Sequence, residues 1–81
     1  RSSDLAKPMK RKDRLSNSLK VHRAIKDVTQ ADLADAIGVS RKTINSIEGG
    51  DYQPSVLLAL QLARFFEVSV DEIFKIEEIE T

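Results

Sequence analysis

The sequence of 81 residues contains no cysteine and no tryptophan. Without cysteine, neither a disulfide framework nor a thiolate metal site can form. The single histidine, His22, leaves no imidazole cluster for zinc, so no metal is expected. No apolar run reaches the roughly 18 residues that a membrane-spanning helix needs. The charged start is not followed by the apolar stretch of a secretory signal. These absences predict a cytoplasmic, reducing setting and no membrane contact. A Walker-type glycine-rich phosphate loop is also missing. Asp32 and Asp35, three apart on a helix, read as solvated surface. No catalytic residue and no cofactor are therefore expected, and the chain is not read as an enzyme.

What is present is charge, balanced overall but unevenly placed. Thirteen Lys/Arg offset thirteen Asp/Glu. Residues 1–30 hold nine Lys/Arg and three Asp, a balance of +6, while residues 31–81 hold four Lys/Arg and ten acids, a balance of −6. A molecule polarised in this way can turn one side toward phosphates and the other away. A solvated basic arm and an acidic tail without function would give the same count.

Local patterns divide the chain. Residues 1–14, polar and basic with Pro8 inside, predict a flexible basic arm. Residues 1–8 read equally as a cloning remnant or as native chain. Leu15, Leu19, Val21, His22 and Ile25 give a helical pattern over residues 16–26. Thr29, with Asp32 three residues on, is a capping-box variant that opens a helix over 30–37. Its Leu33, Ala34 and Ile37 share one stripe, and Gly38 fits the left-handed position that ends a helix. Ser40 caps again, and the next helix covers 41–48 with Ile44 and Ile47 inward. Residues 49–54, GGDYQP, are a loop by composition. Ser55 caps an apolar helix over 56–66, and Ser69 with Glu72 caps a short final one. Residues 75–80 read as an edge strand or a frayed end. The sum is a compact, five-helix, all-α domain over residues 15–75, with residues 76–81 as an acidic tail or short C-terminal strand.

Two short helices joined by Gly38-Val39-Ser40 are the informative feature. The second begins with a cap and then presents Arg41, Lys42, Thr43, Asn45 and Ser46 around the Ile44 and Ile47 anchor. Arg and Lys bond guanine O6 and N7, and Asn pairs with adenine N6 and N7. Ser40, Thr43 and Ser46 can serve bases or phosphates. Gln30, at the start of the first helix, lies where free N–H groups favour a phosphate. Taken singly, each is an ordinary polar residue on a wet helix face; together they fit a helix that enters the major groove.

At these residues the chain resembles the Cro/C1-type helix-turn-helix family, also called XRE, of phage repressors and small bacterial regulators. The carrying segments are TQADLADAIGVSRKTINSIEGG at 29–50, PSVLLALQLARFF at 54–66 and VSVDEIF at 68–74. The stretch I-x-x-I-E-x-G-x-Y-x-P-S at 44–55 is most similar to the short stand-alone regulators, which lack a small-molecule effector domain. The resemblance implies a lambda-repressor-like DNA-binding domain. It implies base or groove contacts from Ser40, Arg41, Lys42, Thr43, Asn45 and Ser46. It implies phosphate contacts from Thr29, Gln30, Gly49 and Tyr52, and an orienting salt bridge between Arg23 and Glu48. The implied function is sequence-specific binding of double-stranded DNA, arranged as an inverted repeat, by a homodimeric repressor in the nucleoid. The surplus apolar residues Leu57, Phe65, Phe66, Ile73, Ile76 and Ile79 are candidates for the dimer contact, and the acidic end would then face away from DNA. The alternative is a protein-interaction module, such as the DNA-binding antitoxin of a toxin–antitoxin pair. The chain departs from the family at Asp27 and Glu67, where Gly is common, at His22, where Leu is frequent, and at Asp51, where a Lys or Arg is frequent. A basic arm at residues 10–14 would compensate for Asp51 by lying along the DNA.

Overall fold

Leu19, Leu33, Ile44, Ile47, Leu62 and Ile73 are each at most 1% exposed and form the centre of one core. They come from five different helices, so no helix can leave without opening it. The computed structural model describes residues 11–80. In chain order these form β1 (Arg11–Asn17), α1 (Leu19–Lys26), α2 (Gln30–Ile37), α3 (Arg41–Glu48), α4 (Val56–Phe66), α5 (Val70–Ile73) and β2 (Phe74–Glu80). Residues 1–10 and 81, which include most of the expected arm and the end of the tail, lie outside the described residues.

The helix starts follow from local chemistry. Thr29, Ser40 and Ser55 accept hydrogen bonds from the N–H groups of Asp32 (2.9 Å), Thr43 (3.1 Å) and Leu58 (3.1 Å). Each such cap contributes about 1 kcal/mol. The Thr29 N–H in turn donates to the Asp32 carboxylate at 3.2 Å, so the Thr-x-x-Asp box closes on both sides. Gly38 ends α2 in the left-handed region, at φ 93°. Asp27 and Glu67 occupy the same region at φ 60° and 59°. These are the two positions at which the resemblance led to an expectation of glycine.

An all-α fold is incorrect. Strands β1 and β2 form an antiparallel two-stranded sheet that pairs Arg11 with Glu80 through to Asn17 with Phe74. Residues 11–14, expected in the arm, are the first half of β1. The helix expected from residue 16 begins only at Leu19. An isolated pair of strands is marginal in water. This one is anchored at its inner end. Phe74 is buried, Leu15 packs on the core, and the Ser18 N–H donates to the Ile73 carbonyl at 2.8 Å.

The sheet also corrects the charge picture. Basic β1 and acidic β2 lie side by side, and Arg14 meets Glu77 at 2.6 Å. The acidic end therefore does not stand apart from the basic one. Two of the candidate dimer residues, Phe66 and Ile73, belong to the core. Leu57 and Ile76 are exposed at 67% and 70%, Phe65 is half-buried, and the Ile79 side chain lies outside the described part. On α1, the pattern of Val21 and Ile25 faces solvent. The inward stripe is Leu19, His22 and Arg23, two of which are polar and so hide the amphipathic signal.

Candidate nucleic-acid interface

α2 and α3 meet through a three-residue turn, and α3 is held from beneath. Ile44 and Ile47 are buried, while Arg41, Lys42 and Asn45 on the opposite side are exposed. Three of the expected base-facing residues thus share one open surface. Thr43 and Ser46 are half-buried on the flank, where they line a shallow cleft with Ser40, Lys42 and Tyr52. The Ser40 hydroxyl is already occupied, since it accepts from the Thr43 N–H and lies 3.0 Å from the Thr43 hydroxyl. Thr29 is similarly committed to its capping box.

Gln30 is more constrained than the sequence suggests. Its amide nitrogen donates to Glu48 Oε1 at 3.0 Å and to Asn45 Oδ1 at 3.3 Å. Both N–H groups are therefore in use inside the protein. Its remaining oxygen is an acceptor, which a phosphate cannot use. An anion at this helix start would be met by backbone N–H groups instead. The bond to Asn45 holds the Asn45 carbonyl in place and leaves the Asn45 amide donors open.

The far end of α3 is braced. Arg23 Nε reaches Glu48 Oε2 at 2.5 Å and Nη2 reaches Oε1 at 3.1 Å, a two-point contact between planar groups. The Arg23 Nη1 also donates to the Val28 carbonyl at 3.1 Å. The side chains are only 15% and 8% exposed. Burial pushes the Glu48 carboxyl up, but the hydrogen bonds from Arg23 and Gln30 outweigh it and hold it below the usual carboxylate range. Because the pair is shielded, removing one partner would strand a buried charge, so breaking it costs more than breaking an exposed pair.

Sequence reasoning missed Asn17. Its Oδ1 accepts from the Leu19 N–H at 3.1 Å, and its amide donates to the Ile47 carbonyl at 2.9 Å. One side chain therefore bonds the first N–H of α1 and ties it to the end of α3, where the Ile47 carbonyl also accepts from the Gly50 N–H at 3.1 Å. Asparagine just ahead of a helix was a readable cap signal, but the partner 30 residues away was not. Lys20 was also passed over; it lines a groove with Gln30, Asn45 and Gly49. In the loop, Gly49 and Tyr52 are exposed, with Asp51 between them tied by its N–H to the Ser46 carbonyl at 2.9 Å. Among the described residues, no helix is long and apolar enough to cross a membrane.

A buried-backed helix with a polar, cation-bearing outer side, crossing a second helix at a tight turn, defines a helix-turn-helix. A helix-turn-helix family model matches residues 19–73. The chain belongs to this family, in its Cro/C1 (XRE) branch. It is 48% identical over 66 residues to an uncharacterised HTH-type transcriptional regulator of Methanocaldococcus jannaschii, covering 82% of this chain and 100% of the relative. A second such regulator, from Bacillus subtilis, is 39% identical over 64 residues, covering 79% and 97%. Among solved structures, the restriction-modification controller protein C.AhdI of Aeromonas hydrophila superposes with a TM-score of 0.63 at 28% identity, covering 67% of this chain and 82% of that one. The family is one of DNA-binding regulators and not of enzymes.

Proposed function

We propose that this protein is a repressor that binds double-stranded DNA in a sequence-specific way, with α3 in the major groove. The observation that carries the reading is the open side of α3: Arg41, Lys42 and Asn45 face solvent on a helix fixed by Ile44, Ile47 and the Arg23–Glu48 brace. In this reading Arg41 and Asn45 read base edges, and Lys42, Ser40, Thr43 and Ser46 serve the groove and its flanking phosphates. The backbone at Gln30 and Gly49, together with Tyr52, follows the sugar-phosphate chain, and Thr29, whose hydroxyl and N–H are both held in the capping box, shapes the helix start that meets it. Arg23 and Glu48 set the angle at which α3 is presented. The protein works in the cytoplasm at the nucleoid, without a cofactor, metal or catalytic step.

One helix reads too few base pairs to mark a genomic site, so two copies bind an inverted repeat with half-sites about 34 Å apart. Among the exposed apolar residues, Leu57 and its neighbours Val56 and Leu60 on one side of α4, and Ile76 on β2, are candidates for that contact.

The test is an anisotropy titration of duplex from the region upstream of the protein's own gene, against a scrambled duplex. Wild type should favour its own duplex by 10-fold or more, and Arg41→Ala should remove most of that preference while leaving binding to the scrambled duplex nearly unchanged. No shift of either duplex at low salt would refute the reading.

A further inference from the structure

A trough runs from α3 past α1 to the sheet, as three grooves that share walls. Asn45 borders the groove of Arg41 and Lys42 and also the next one, with Lys20 and Gln30. Glu48 and Gly49 border that second groove and a third, with Arg14 and Asn17. The trough therefore begins on the helix assigned to the major groove and ends on β1, outside the helix-turn-helix.

Its charges are not balanced. Glu48 is neutralised by Arg23. Arg41, Lys42 and Lys20 engage no carboxylate among the described residues in any hydrogen bond or ion pair. Arg14 is held by Glu77, with Nε at 3.0 Å and Nη2 at 2.6 Å from the same oxygen. Asp51 is the remaining carboxylate on the walls. The Arg14–Glu77 pair is wet, with side chains 63% and 50% exposed, and an ion pair so exposed is weakly held. A phosphate offers Arg14 a stronger, charge-assisted fork of bonds.

We propose that the DNA backbone follows this trough, with Lys20 and Arg14 each taking one phosphate and Glu77 competing for Arg14 when DNA is absent. The proposal rests on the DNA-binding reading above and extends it to two residues that lie outside the α2–α3 motif. It also bears on how a chain of zero net charge attracts a polyanion: Arg41, Lys42 and Lys20 share one surface, and most of the acids do not line it. Strand β2 then acts as a built-in rival to the phosphate, and sets how steeply binding responds to salt.

The experiment measures duplex affinity between 50 and 200 mM KCl for wild type, Lys20→Ala, Arg14→Ala, Glu77→Gln and the Arg14→Ala/Glu77→Gln double variant. Circular dichroism is used to verify that each is folded, and Arg14→Lys retains the charge should Arg14→Ala loosen the sheet. Each phosphate contact contributes about 0.9 to the slope of log affinity against log salt. Lys20→Ala and Arg14→Ala should each lower the slope by about that amount and weaken all duplexes alike, with sequence preference intact. Glu77→Gln should tighten binding about three-fold, a gain that disappears when Arg14 is absent. Unchanged slopes in Lys20→Ala and Arg14→Ala overturn the proposal, as does a Glu77→Gln gain that persists without Arg14. If Arg41→Ala loses sequence preference while these slopes stay fixed, the trough fails and the recognition helix stands. If wild type binds no duplex, both fall.

Discussion

Two residues carry backbone strain without an evident return. Asp27 and Glu67 end α1 and α4 at φ near 60°, where an L side chain costs about 1–2 kcal/mol and glycine nothing. Part of that gain is cancelled because glycine loses more freedom on folding. Asp27→Gly and Glu67→Gly should each stabilise the protein by about 0.5–1 kcal/mol, read as a higher urea midpoint at unchanged slope. Glu48 carries the clearest pH signature. Its carboxyl is held below its ordinary value of 4.5 in the folded state. The stability it contributes is complete above that value and is lost as pH falls through the lower folded value. Glu48→Gln should therefore flatten the acid side of the stability profile below about pH 4.5. Arg23→Ala leaves a shielded carboxylate with Gln30 alone and should cost about 2–3 kcal/mol by denaturant unfolding. The strained positions were legible, because the family places glycine at both. The burial of the Arg23–Glu48 pair was not, since two residues 25 apart in sequence say nothing about what covers them.

At the scale of elements, the capped helices announced themselves and β1 did not. Thr29, Ser40 and Ser55 stand directly ahead of their helices, so each start is a local matter. β1 has one apolar residue, Leu15, and owes its existence to a partner about 60 residues away. No window of sequence contains that pairing. β2 alternates from Phe74 through Glu77 and then loses the pattern at Glu78, which left it readable as strand or frayed end. Asn17 joins these levels, since it sits at the inner end of β1, caps α1 and holds the α3 carbonyl of Ile47. Asn17→Ala should cost about 1–2 kcal/mol in thermal or urea unfolding. Asn17→Asp keeps the cap and loses the donor to Ile47. It should retain roughly half of that stability while still weakening DNA binding, because the end of α3 is released.

For the whole molecule, the division of charge along the chain was a poor guide to its division in space. Pairing β1 with β2 places opposite charges together on the sheet and leaves Arg41, Lys42 and Lys20 beside α3 without a carboxylate partner among the described residues. The exposed apolar stripe of Val56, Leu57 and Leu60 is what a two-copy assembly would cover. Leu57→Glu combined with Leu60→Glu should leave the monomer fold intact and shift the protein toward monomer in sedimentation equilibrium. The double change should also lower affinity for an inverted repeat far more than for a single half-site. A protein whose mass and repeat binding ignore both changes does not use that stripe.

The most direct measurement is a selection of bound duplexes from a random pool, carried out in parallel with wild type and Arg41→Ala. If the exposed side of α3 reads base edges, wild type enriches a two-fold symmetric motif. Arg41→Ala then loses one conserved column in each half-site, with the flanking columns retained. Enrichment of the same motif by both proteins would show that sequence is read somewhere other than this helix.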